Sequence, residues 1–97
     1  MNTNALSFLP ELEEIISQRA AADTDDSYTA RLFERGTPYI AQKVGEEAVE
    51  LAIAASLNKR EESISEAADL IYHFLVLIRS REISLAEIVA ELEARHS

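Results

Sequence analysis

Two stretches of this chain, residues 37–57 and 61–80, place apolar side chains in almost every direction around a helix axis. Successive residues turn by roughly 100°. Ile40, Val44, Ala48, Val49, Leu51, Ala52, Ile53 and Ala55 therefore leave little of the first circumference polar. Ala68, Leu70, Ile71, Phe74, Leu75, Leu77 and Ile78 do the same for the second. A helix that is apolar on most sides has to be covered on most sides. One copy of a 97-residue chain is too small to cover two such helices. The pattern predicts an all-α bundle of about five helices, assembled as a homodimer, with Val49 and Leu75 in buried packing away from the acidic faces.

The remaining boundaries follow from caps and breakers. A first helix is expected from about Leu6 to Ala22, with Leu9, Leu12, Ile15 and Ile16 as its apolar stripe. The polar run Asp23–Asp26 reads as a loop. Ser27 can cap a short helix through Arg35, which Gly36 ends in a left-handed conformation. Thr37 and Pro38 read as N-cap and first helical residue of the next helix, which runs to about Leu57 and stops at Asn58. A fourth helix spans about Glu61 to Ser80. The fifth opens on a capping box, Ser84 with Glu87, flanked by a hydrophobic staple of Ile83 and Ile88. No linker or repeat divides the sequence, so residues 1–97 are expected to form one domain.

Charge and composition exclude several classes. Eighteen acidic residues against nine basic give a net charge of −9, which repels nucleic-acid backbones. There is no cysteine, so disulfides and thiolate metal sites are ruled out. No run approaches the ~18 apolar residues of a membrane span, and Met1–Pro10 lacks the basic and apolar regions of a secretory signal. The expectation is a cytoplasmic protein with a small-molecule partner.

The acidic residues are not spread evenly. Glu46, Glu47 and Glu50 sit on the first apolar helix, and Glu66 and Asp69 on the second. Glu47 to Glu50 and Glu66 to Asp69 are both three residues apart, which puts each pair on one face, one turn apart. Lys43 shares the first face and His73 the second. A single pair of this kind is ordinarily a solvated surface, and Ser63 with Glu66 also fits a capping box. Recurrence on two neighbouring apolar helices is different. Carboxylates brought together there repel, and burying them unpaired costs several kcal/mol each. A hard divalent cation such as magnesium, with manganese as a substitute, satisfies the set. A di-iron bundle needs Glu-x-x-His motifs, which His73 and His96 do not form.

Beyond spacing, Glu46-Glu47-x-x-Glu50 followed by Glu66-x-x-Asp69 resembles the signature of the all-α nucleotide pyrophosphohydrolases related to MazG. Ser27-Tyr28-Thr29, Gly36, the run Lys43–Glu50 and the run Ala67–His73 narrow the resemblance to the phosphoribosyl-ATP pyrophosphohydrolases, over about Leu12 to Arg95. The resemblance implies a MazG-like helical bundle and hydrolysis of phosphoribosyl-ATP to phosphoribosyl-AMP and pyrophosphate, in histidine biosynthesis. Many relatives are fused to the cyclohydrolase of the next step. That enzyme needs more length and metal-binding cysteines, so a stand-alone form is expected here.

By this analogy Glu47, Glu50, Glu66 and Asp69 are the metal ligands. Glu47 and Glu46 are the candidate catalytic residues. Glu46 points roughly 100° from Glu47, so it either orients or deprotonates the attacking water or serves an outer, structural role. Lys43 either reaches a phosphate oxygen or pairs with Glu46 or Glu47. Arg19, Ser27 and Thr29 are candidate phosphate or ribose contacts, with Ser27 equally suited to capping. Tyr28 and Tyr72 read as core aromatics ahead of stacking platforms, and His73 as a hydrogen-bonded core or outer-sphere residue rather than a ligand. Two rivals stand beside this reading. One is a house-cleaning nucleoside triphosphate pyrophosphohydrolase on the same fold, and the other is a non-catalytic helical dimerisation module.

Overall fold

The computed structural model describes residues 3–97; Met1 and Asn2, part of the single domain expected over 1–97, lie outside them. The order is α1 (Thr3–Leu6), α2 (Phe8–Arg19), α3 (Tyr28–Arg35), α4 (Thr37–Ser56), α5 (Arg60–Ser80) and α6 (Leu85–Arg95), with no strand among the described residues. The fold is all-helical: five helices of eight residues or more, and one short turn before them.

The first helix departs from expectation at both ends. Pro10 has no N–H to give to the carbonyl of Leu6, so the ladder breaks there and α1 separates from α2. Pro10 itself falls in the first turn of α2, where a missing donor costs nothing. At the other end α2 stops at Arg19, not Ala22, and Ala22 N–H turns back to the Arg19 carbonyl at 3.0 Å.

The other boundaries follow local chemistry. The Ser27 hydroxyl accepts from Ala30 N–H and caps α3. Gly36 takes φ +91°, ends α3 and serves as N-cap of α4, so Thr37 is the first residue of that helix rather than its cap. Asn58 (φ 57°) closes α4 in the left-handed region. The Lys59 N–H bonds the Ala54 carbonyl and the Asn58 N–H bonds that of Ala55, the Schellman pattern. Because α5 is already under way at Arg60, Ser63 spends its hydroxyl on the Lys59 carbonyl, and it does not cap with Glu66. The capping box of α6 forms as expected from Ser84 and Glu87.

The tight turn at 57–59 folds α4 and α5 into a hairpin, the most extensive helix pairing in the chain. α2 and α3 cross its far end, and Ile16, Leu32, Ile40, Leu75, Val76 and Ile78 make the core there. α6 adds Leu85 and Ile88 at the margin, and Leu85 N–H is held by Glu13 Oε2 at 2.6 Å. The near half of the hairpin is left uncovered within one copy. Val49, Ile53, Leu57 and Ile64 are each more than half exposed. Leu75 is buried as expected, but Val49 is 59% exposed in the single chain.

Candidate metal centre

The α4–α5 hairpin brings Glu47 of α4 against Glu66 and Asp69 of α5. One carboxylate oxygen each from Glu47, Glu66 and Asp69 lies within 4.8 Å of the others. Glu47 is the most enclosed, 9% exposed in the middle of α4. Glu50 stands outside this triad. It adjoins Glu66 instead, and the two line a cavity of about 210 Å³ with Ile53, Ala54, Leu57, Lys59 and Glu62.

The cost of this arrangement concentrates on Glu66. Its Oε2 is buried and receives no hydrogen bond from the chain. Its pKa is pushed up to about 7, first because a proton on it is shared with the Glu50 carboxylate, then through desolvation and repulsion from Glu50 and Glu47. An orphaned buried oxygen beside two further carboxylates fits an oxygen-seeking divalent cation. The donor set therefore suits magnesium or manganese, and the absence of nitrogen or sulfur donors in the triad disfavours softer ions.

The raised pKa has a sign that can be measured. A carboxyl group that binds its proton more tightly when folded contributes stability fully present below the unfolded value near 4.5, and that stability is lost as pH rises toward about 7. Urea denaturation in EDTA should therefore show this contribution falling across that window. Glu66→Gln should flatten the profile there. A wild-type profile matching the variant's between those pH values would refute the assignment.

His73 braces the cluster from behind. It is 7% exposed. The Asp69 carbonyl accepts from Nδ1 at 2.9 Å, and Nε2 lies 3.0 Å from the Tyr28 hydroxyl. A carbonyl can only accept, so a neutral ring protonated on Nδ1 satisfies both contacts. Nδ1 also stands 4.0 Å from Glu47 Oε1. His73 is thus a hydrogen-bonded residue behind the carboxylates, as its apolar surroundings suggested.

The remaining candidates divide between the site and the scaffold. Lys43 pairs with Glu46 at 3.6 Å. Partial burial pulls the Lys43 pKa down, but Tyr28, Glu46, Tyr39 and Glu47 together raise it, so it stays a firm cation next to the acidic set. Glu46 faces outward, with a half-exposed side chain. Ser27 and Thr29 are buried, and both hydroxyls are used internally, Ser27 on Ala30 N–H and Thr29 with the Tyr72 hydroxyl. Arg19 lies exposed at the end of α2, and no ion pair joins it to the cluster among the described residues.

Tyr28 departs from the core role expected of it. It is 44% exposed and stacks on half-buried Tyr72 at 6.2 Å between centroids. It also borders an open pocket of about 410 Å³ lined by Arg31, Arg35 and Tyr39, none of which the sequence singled out. Two arginines four apart on a short polar helix look like a solvated face in sequence, and only the fold shows what they border.

With this geometry in place, comparison with known proteins decides the family. The family model described as phosphoribosyl-ATP pyrophosphohydrolase matches residues 9–96. The chain belongs to this family. Among its relatives, the histidine biosynthesis bifunctional protein HisIE of Shewanella oneidensis is 50% identical over 96 residues, covering 99% of this chain and 46% of the relative. The protein of the same name from Campylobacter jejuni is 51% identical over 89 residues, covering 92% and 43%. That from Photobacterium profundum is 47% identical over 93 residues, covering 96% and 45%. The chain spans just under half the length of each. Glu47, Glu66 and Asp69 all fall inside the segment that the phosphoribosyl-ATP pyrophosphohydrolase model matches.

Proposed function

We propose that this chain, working as one domain, hydrolyses phosphoribosyl-ATP to phosphoribosyl-AMP and pyrophosphate, the second step of histidine biosynthesis, in the cytoplasm and with magnesium. The observation that carries the reading is the convergence of Glu47, Glu66 and Asp69 in a chain of this family. Glu47, Glu66 and Asp69 would hold the ion, with Glu50 joining through its contact with Glu66. When bound, magnesium supplies charge neutralisation at the phosphate chain and at the departing pyrophosphate.

The chain's own residues do the positioning. His73 fixes the Asp69 turn through its carbonyl and stands against Glu47, so two ligands are held by one imidazole. Lys43, kept protonated by its acidic and phenolic neighbours, offers a point charge to a phosphate oxygen. Glu46 holds Lys43 on that side and, as the candidate base, would take the proton of the attacking water on its half-exposed carboxylate. Ser27 and Thr29 contribute from within, by fixing the start of α3 and therefore Tyr28. Arg19 is retained as a phosphate contact from the end of α2.

The substrate preference and the bond cut test this together. Attack at the α-phosphorus expels pyrophosphate whole, so label from ¹⁸O-water should enter the monophosphate product. Contacts to the second ribose phosphate should make kcat/KM higher for phosphoribosyl-ATP than for ATP or dCTP, because remote binding energy lowers the barrier. Label in pyrophosphate overturns the mechanism. Faster turnover of dCTP than of phosphoribosyl-ATP hands the function to a house-cleaning enzyme. A chain that binds no magnesium in calorimetry, with or without nucleotide, is a dimerisation module.

The working unit is proposed to be a homodimer in which α4 and α5 of both copies form one bundle. Its support is the uncovered apolar flank of the hairpin, Val49, Ile53, Leu57, Ile64 and Ile71.

A further inference from the structure

The pocket between the 24–25 loop, α3 and the start of α4 combines features that the metal centre does not use. Arg31 and Arg35 are four residues apart on α3 and both line it, with Tyr28 and Tyr39 as aromatic walls and Asp25 and Glu34 at its border. Arg35 is stacked 3.9 Å over the Tyr39 ring, and Arg31 is steered by a 2.7 Å hydrogen bond to the Thr24 carbonyl while lying 5.9 Å from the Tyr28 ring. In a chain of net charge −9, no ion pair engages either guanidinium among the described residues, although two carboxylates border the same space. Both cations are oriented by aromatic or backbone partners and left with unspent donors.

The pocket is also joined to the acidic cluster by a single residue. Tyr28 forms its wall, and the Tyr28 hydroxyl bonds His73, which in turn touches the Asp69 carbonyl and stands beside Glu47. The pocket wall is thus two hydrogen bonds from Asp69, and a substrate with its triphosphate at the carboxylates still has its far end to place. Only an anionic far end suits two guanidinium groups, and Asp25 and Glu34 can accept hydrogen bonds from sugar hydroxyls beside it.

We propose that this pocket holds the second ribose phosphate of the substrate, with its phosphate on Arg31 and Arg35 and its hydroxyls toward Asp25 and Glu34. This rests on the reading of the chain as a phosphoribosyl-ATP hydrolase, and two measurements separate the claims. In the first, Arg31→Gln and Arg35→Gln are assayed on phosphoribosyl-ATP and on ATP, which lacks the second ribose phosphate. The kcat/KM ratio of the two substrates should shrink more than tenfold in each variant, with partial recovery in Arg35→Lys. An equal fall on both substrates overturns the pocket assignment and leaves the activity standing. In the second, ribose 5-phosphate alone is titrated into the metal-free protein and followed by amide NMR shifts. Shifts confined to residues 24–39, lost in both glutamine variants, support the pocket even if hydrolysis of phosphoribosyl-ATP fails. No shifts at millimolar ligand, or the same shifts in the variants, overturn it.

Discussion

Glu47→Gln and Asp69→Asn should each lower magnesium-supported turnover by far more than the ~10–100-fold typical of outer-sphere partners of a metal. Each exchange keeps the side chain's size and removes one of three carboxylates whose oxygens lie within 4.8 Å. Such crowding is unfavourable without a cation, because like charges a few ångströms apart repel by several kcal/mol at the effective dielectric of a protein surface, ~4 kcal/mol at 4 Å. Metal-free stability should therefore hold or rise in both variants while activity collapses. Thermal unfolding in EDTA beside a pyrophosphate-release assay reads both quantities. Near-normal turnover in either variant removes that residue from the ligand set. A lowered unfolding midpoint would mean that the carboxylate is a structural partner instead, through His73 in the case of Glu47.

A similarly large effect is expected for the assembly. The wild type should scatter light as twice its 10.8 kDa chain mass at micromolar concentration, and the double variant Val49→Asp/Ile71→Asp should scatter as one chain. Both residues are exposed in the single copy, at 59% and 44%, one on each helix of the hairpin, so the monomer loses no core packing. In a dimer each would be buried apolar surface worth ~1.5–3 kcal/mol, and a buried unpaired carboxylate costs several kcal/mol more. At ~1.4 kcal/mol per decade, two substitutions repeated in two copies shift dissociation by more than three orders of magnitude. A wild type that is monomeric at micromolar concentration ends the dimer reading, and a double variant that remains dimeric moves the interface elsewhere.

Much of this molecule was legible in the sequence because its signals are local. Helix starts at Ser27 and Ser84 depend on one side chain reaching three residues ahead, and each forms as its spacing implies. The acidic pairs were legible for the same reason, since three residues on a helix is one turn. Reach across the hairpin was less so. Spacing treats Glu50 and Glu47 as equivalent, whereas the structure places Glu47 inside the triad and leaves Glu50 touching only its edge at Glu66. Periodicity also does not say which copy does the covering. It ranked Val49 with Leu75, but one copy has material to cover only the half of the hairpin that α2 and α3 cross. Thr29 reads as a candidate substrate contact because hydroxyls suit phosphates, and nothing local shows that its hydroxyl also meets Tyr72, far along the chain. Arg31 and Arg35 carried no signal, because a pocket is a property of three segments at once.

The three-residue turn at 57–59 has a bearing on how the active structure comes into being. All the acidic residues proposed as ligands lie on the two arms that this turn joins. Bringing them together requires closing a very short loop, and loop-closure entropy is small at that length. Contacts between neighbours in sequence also form early and fast, whereas distant pairings delay folding. The hairpin can therefore align its carboxylates before α2, α3 and α6 have docked. On the proposed reading, cation capture would then be an early folding event, and refolding in magnesium should gain its stabilisation at the first step rather than the last.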